Sequence, residues 1–318
     1  MNDALVLLVT LAASSLRLAT PLVFAAMGGL LCERAGVVNI ALEGLILAGA
    51  FAAAVAAHAT GSPWLGLAAG ILAGSLVGLI HALATVRWRA DAIVSGTAIN
   101  ILVVGLSAVL ARAFYGVSGS TPTLPRSARF AEIEWPLLGN LPVVGPVLFH
   151  HIPLVYLAPL LALVVSIFLS RTRAGLRLIS VGEAPDAARS AGLSVIRIRI
   201  MAVVAGSAVA AVGGVFLAIG HGSAFARNMS AGRGFIALAA LILGQWKPIP
   251  VLLTALFFGT ADALGIILQG VTIPGLGILP VQFVTMIPYV LTLLLLAGVT
   301  GRSRPPHALG RPWPGEHS

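Results

Sequence analysis

The chain has 318 residues, 58% apolar and only 9% charged, and a mean hydropathy of +1.03; a soluble fold could not cover itself with so little polar surface, so this is an integral membrane protein. The formal charge of +9 comes from basic residues, with Lys247 the only lysine, that collect between apolar runs, which reads as membrane topology and excludes a nucleic-acid footprint. A lone cysteine, Cys32, excludes an intramolecular disulfide and a multi-cysteine metal cluster.

Apolar runs able to cross a hydrocarbon layer of about 30 Å as helices fall at 4–31 (interrupted by Arg17 and Pro21), 37–57, 64–86, 92–114, 152–170, 200–220, 249–269 and 278–299. The run 234–245 is too short to cross comfortably alone, so it is a half-helix or continues through Pro248 as a kinked span. The fold class is therefore an all-α polytopic bundle of about eight to ten helices, in a single domain over 1–318. The first run lacks the basic start and cleavage site of a secretory signal and is kept as mature structure. No alternating strand pattern of a barrel is present.

The connection 171–199 carries Arg171, Arg173, Arg177, Arg189, Arg197 and Arg199 against Glu183 and Asp186, whereas 115–151 balances Arg126 and Arg129 with Glu132 and Glu134. The first is expected on the cytoplasmic side and the second outside. Arg87, Arg89 and a Pro-rich tail, 301–318, read as flexible, fall on the first side by the count of spans.

A motif occurs twice. Ala35-Gly36, then Ile40-Ala41-Leu42, then Leu45-Ile46-Leu47 return at one offset as Ala231-Gly232, Ile236-Ala237-Leu238 and Leu241-Ile242-Leu243. Upstream, the residues 23–28 resemble 215–220. An odd number of crossings separates the copies, which predicts an inverted repeat with halves at about 4–114 and 198–299.

Chemistry is confined to a few polar residues. No Gly-Lys-Ser/Thr phosphate loop, His-Glu-x-x-His helix or Gly-x-Ser-x-Gly elbow is present, and His150-His151 reads as a solvated loop, not a metal site. Asn39 and Glu43, four apart, share a face if helical. Inside an apolar span they face a cavity, where they bond a polar substrate, or they tie helices together through backbone or Arg34. Asn100, Asp262 and a stripe of Gln282, Thr285 and Tyr289 raise the same two alternatives. The pathway candidates are Asn39, Glu43, Asn100, Phe235, Gln282 and Tyr289. From 182 to 193 a short helix is expected outside the membrane, with Pro185 in its first turn, Asp186 at its positive end and Gly192 ending it. Compact, capped and flanked by arginines, it offers a rigid knob to another protein, with Glu183, Pro185, Asp186, Ala188, Arg189 and Gly192 as the docking candidates.

The runs 33–44, 231–240 and 181–189 resemble the permease subunits of bacterial ABC importers, and the form Val37-Val38-Asn39-Ile40-Ala41-Leu42-Glu43-Gly44 is similar to the nucleoside (purine) branch of the ribose and branched-chain amino-acid type superfamily. The resemblance implies a type II importer fold in the bacterial cytoplasmic (inner) membrane, with no catalysis and no cofactor of its own. It also implies an ATPase with two nucleotide sites docked on the helix around Pro185, a second related permease, a substrate-binding lipoprotein and surrounding lipids. A sugar or riboflavin-like ligand in place of the nucleoside, a carrier driven by protonation of Glu43 or Asp262, and a membrane-embedded enzyme remain as rivals; the enzyme lacks a reactive constellation.

Overall fold

The computed structural model describes residues 3–136, 138–139, 141–269 and 304–313, with a few positions between 272 and 290. Its helices are α1 (Asp3–Arg34), α2 (Leu42–Thr60), α3 (Pro63–Ala82) with a π-helical continuation Leu83–Arg87, α4 (Ala92–Tyr115), α5 (Val144–Leu148) and α6 (Pro153–Arg171). Then follow α7 (Arg173–Glu183), α8 (Pro185–Ser190), α9 (Val195–Val215) with a π-helical continuation Phe216–His221, α10 (Arg233–Leu243) and α11 (Pro248–Leu268). A two-residue ladder pairs β1 (Ile133–Glu134) with β2 (His150–His151). Among the described residues seven helices are long and apolar enough to cross a membrane, and α10 is a shorter apolar helix.

Local chemistry places several of these starts. Proline occupies the first turn of α3, α6, α8 and α11, where a missing N–H costs nothing. The Asp91 carboxylate caps α4, accepting from Ile93 N at 2.8 Å and Val94 N at 2.9 Å. Two of the expected spans shift. The run from 37 is non-helical until Leu42, and the run expected from 200 starts at Val195, which brings Arg197 and Arg199 into α9. The run 234–245 is a half-helix, closed by a turn with positive φ at Gln245 and Trp246 before α11 begins. The expected span 278–299, with Gln282, Thr285 and Tyr289, lies outside the described residues.

The core is organised on α9, which packs against α1, α2 and α3. Contact is backbone-close because small residues face each other. Gly66, Gly70, Gly74 and Gly78 form one buried ridge on α3, and a Cβ on any of them would strike Ile219, Val215, Ala211 or Ser207. Without a hydrophobic force between helices in lipid, such close van der Waals approach supplies much of the association. Leucines and isoleucines on the opposite faces of α3, α4 and α6, such as Leu72, Ile101 and Leu163, remain exposed and suit lipid.

The polar segments gather at two ends. At one, the arginine-rich end, Arg34 meets Glu183 at 3.5 Å, and the π-turn carrying Arg87 and the tail lie beside Gly36 and Arg199. At the other, the connection after α4 is stitched to the segment after α9 by Thr121 N to Phe225 O at 3.1 Å and Phe130 N to Ile219 O at 3.1 Å. His151 at this far end is buried, and its Nε2 lies 2.8 Å from Val147 O, so it is not a solvated loop residue. Burial, the largest influence on it, pushes its imidazole pKa down.

Residues 304–313 are packed, which corrects the expectation of a flexible tail for that stretch. Ala308 N donates to Gly182 O at 2.9 Å, Gly310 N to Gly36 O at 3.0 Å, and His307 N to Glu183 Oε2 at 3.2 Å. Trp313 is buried with Val181, Ala188 and Val195.

Candidate functional site

After α1, Ala35 and Gly36 turn the chain, with Gly36 at φ 91°, a backbone region glycine enters without steric penalty. Val37 to Ala41 then runs back beside the last turns of α1. Asn39, fully buried, donates from Nδ2 to Cys32 Sγ at 3.3 Å, and the His81 ring from α3 bonds the Val38 carbonyl at 3.2 Å. Thus α2 starts inside the bundle, where the Leu42 side chain fills the space beside Gly29. Gly29 precedes Arg34 along α1 by about 7 Å at 1.5 Å per residue.

A helix that starts away from water needs partners for its first N–H groups. Ala41, the residue before α2, offers no side-chain cap; Asn100 of α4 does that work from across the bundle. Its Oδ1 accepts Gly44 N at 2.7 Å and its Nδ2 donates to Ile40 O at 3.0 Å. Gly44 is required there, because a Cβ would lie 2.9 Å from Asn100 Oδ1.

The second copy of the motif solves the same problem with the first. Gly232, φ 81°, precedes α10 and carries no capping side chain. The Glu43 carboxylate supplies the acceptors: Oε1 takes Gly232 N at 2.8 Å and Oε2 takes Gly234 N at 2.7 Å. An anion at this place also opposes the positive ends of both α2 and α10. From their contact the helices part. The far end of α2 brings His58 to Tyr115, whereas the turn after α10 brings Trp246 to Glu33, its Nε1 donating to the buried carboxylate. The two copies therefore run to opposite ends, and α10, about 16 Å long, covers half of a hydrocarbon layer.

Three pathway candidates thus have internal work. Asn39 and Glu43 do not share a helical face, because Asn39 precedes α2; Asn39 and Asn100 brace the re-entering segment, and Glu43 ties helices through backbone. Phe235 is different: it is 50% exposed on α10, beside the meeting point. Gln282 and Tyr289 lie outside the described residues. His81, Glu33, Trp246 and the α3 glycine ridge also contribute, although their roles are not expected from the sequence. The ridge alone had a visible signal, glycine at every fourth position.

The candidate docking helix forms as expected in α8, with Pro185 in the first turn and Gly192 at φ 81° behind it. Asp186, Ala187, Arg189 and Gly192 are exposed. Ala188 is not: at 4% exposure it packs against Val181, Val195 and Trp313, so it anchors α8 to its own chain and does not face a partner. Glu183 is engaged by Arg34 and His307 and likewise holds the chain together.

Residues 11–296 match the family model described as branched-chain amino acid transport system / permease component. The chain is 39% identical to the guanosine ABC transporter permease protein NupQ of Bacillus subtilis (strain 168), covering 98% of each chain. It is 38% identical to the nucleoside ABC transporter permease protein NupC of Lactococcus lactis subsp. cremoris, covering 94% of each. A putative glucose ABC transporter permease, TsgC13 of Haloferax volcanii, is 34% identical over 79% of this chain and 75% of its own length. No solved structure matches the chain significantly. With its helices, its re-entering motif and this match over most of its length, the chain belongs to the family of branched-chain amino acid type ABC transport system permease components.

Proposed function

We propose that this chain is the non-catalytic permease subunit of an ATP-driven nucleoside importer in the bacterial cytoplasmic membrane, with its arginine-rich end in the cytoplasm. The observation that carries the substrate is the similarity, over nearly the whole of each chain, to permeases named for guanosine and nucleoside transport. A second permease completes the pathway at the exposed Phe235 side of the meeting point, a binding lipoprotein delivers substrate from outside, and ATP is hydrolysed in a separate subunit.

The exposed face of α8 receives the push of that ATPase. Ala188 and Val195 pack α8 onto the start of α9, and the Glu183 to Arg34 pair links the end of α7 to the end of α1. Movement of α8 is thereby passed to α9, the helix on which α1, α2 and α3 pack, and to the turn that leads into α2. Two glycines at the α1–α9 crossing, Gly28 and Gly206, leave backbone against backbone, so displacement there cannot be absorbed by a flexible side chain.

A simple sugar is the second reading, favoured by the resemblance to the putative glucose permease. Uptake by the reconstituted complex separates the two: the proposal expects labelled guanosine or another nucleoside to be accumulated and to be unaffected by excess glucose. Accumulation of glucose with no nucleoside uptake would replace it with the sugar reading.

A further inference from the structure

The arginine-rich end holds a basic cavity for which the transport reading has no use. Arg199 of α9 is 3% exposed. Its Nη1 donates to Arg311 O at 3.0 Å, but Nε and Nη2 have no acceptor among the described residues. Arg199 is one of the residues around a cavity of about 200 Å³ whose other walls are the Gly36–Val38 turn, Thr85, Val86 and Arg89 after α3, the residues entering α4, and Gly310 to Pro312 of the tail. Three cations, Arg89, Arg199 and Arg311, line it with a single carboxylate, Asp91, and one oxygen of that carboxylate is already committed to Ile93 and Val94 N–H. Gly36 is shaped to this arrangement: a Cβ there would lie 2.8 Å from Arg199 Nη2.

A buried guanidinium with free donors is strongly unfavourable unless an acceptor reaches it. Arginine presents its donors in a planar fork that fits two oxygens of one oxyanion, which a lysine could not do. We propose that this cavity binds a phosphoryl anion, with the buried Arg199 in its wall and the exposed Arg89 and Arg311 beside it. The place, at the membrane-facing end of spanning helices, gives the phosphoryl group two sources: the headgroup of an anionic phospholipid, or free phosphate in solution. Either would bridge the α1–α2 turn, the α3–α4 connection, α9 and the tail, and so stiffen the end of the bundle that carries α8.

The test uses the intact permease–ATPase complex and reads binding, not transport, so it stands apart from the substrate assignment. One arm titrates inorganic phosphate against chloride at equal ionic strength into complex held in phosphatidylcholine nanodiscs, following the thermal midpoint of the permease. The other exchanges phosphatidylglycerol into the nanodiscs and follows lipid retention by native mass spectrometry. Saturable binding in either arm is expected, weakened about tenfold or more by losing a charge-assisted contact in Arg199→Gln and in Arg89→Gln, and unchanged in Arg126→Gln at the far end. Phosphate alone identifies a free anion, and phosphatidylglycerol alone a headgroup. Arg89 is exposed, so Arg89→Gln decides the matter if Arg199→Gln does not fold. No saturable binding in either arm, or binding untouched by Arg89→Gln, would overturn the proposal.

Discussion

The Glu43 carboxylate accepts the N–H of Gly234 at 2.7 Å across 191 residues of sequence, so that the first copy of the repeated motif closes the helix start of the second. Glu43→Ala removes acceptors from two N–H groups, Gly232 and Gly234, in a place where water is scarce. The expected loss is about 2–6 kcal/mol at roughly 1–3 per unsatisfied group. Glu43→Gln keeps one acceptor oxygen and should lose about half as much. Thermal unfolding of the purified variants, read alongside uptake, checks this: stability and uptake should fall together, whereas uptake lost at unchanged stability would make Glu43 a substrate ligand.

The ridge on α3 allows a paired test. At Gly74 an added Cβ meets Ala211 Cβ and Ser207 O, while at Gly105 on α4 it meets nothing within 4 Å. Gly74→Leu should destabilise by about 1–3 kcal/mol or more through overpacking. Gly105→Ala should be neutral or raise stability by up to about 1 kcal/mol, since glycine is poor in a helix interior. Equal effects of the two changes on the thermal midpoint would contradict the packing described for α3 and α9.

Much of this architecture is legible in the sequence because spans, proline starts and glycine stops are local signals. Pro185 and Gly192 bound α8 as expected, and Ala35-Gly36 and Ala231-Gly232 mark two turns with positive φ. The segment 37–41 was not legible: Ile40, Ala41 and Leu42 suit a helix, but the bonds that hold its backbone off the helical path come from His81, Asn100 and Cys32, all distant in sequence or on another element. Tertiary partners override local preference there. The same is true of the tail, whose prolines suggest an open coil while its N–H groups find Gly36, Gly182 and Glu183. Ala188 was misplaced for a simpler reason. A small residue fits equally well against its own chain or a partner, and only the presence of Trp313 decides.

That difference between neighbours on α8 is testable. Ala187→Glu adds a charge to an exposed surface, so the permease should insert and unfold normally yet lose co-purification with the ATPase, because a charge forced into a docked contact can cost several kcal/mol, on the order of 2–5. Ala188→Glu should instead lower the thermal midpoint and make the tail accessible to protease, by expelling Trp313. Normal ATPase binding by Ala187→Glu would remove α8 from the interface.

Orientation is checked by single cysteines in a Cys32→Ser background. Ser127 and Ser190 are both exposed and lie at opposite ends of the bundle. An impermeant reagent applied to intact cells should label Ser127→Cys and spare Ser190→Cys until the membrane is opened. The reverse pattern would invert the arrangement, and labelling of both would break the opposite running of α2 and α10.

Transport energetics tests the whole account most directly. In proteoliposomes holding the permeases and the ATPase, with binding protein and labelled guanosine on the side of the Ser127 end, accumulation should require ATP, persist when the proton gradient is collapsed, and disappear in Ala187→Glu. Accumulation driven by a proton gradient without the ATPase would contradict an ATP-driven permease and return Glu43 or Asp262 to the role of proton carrier.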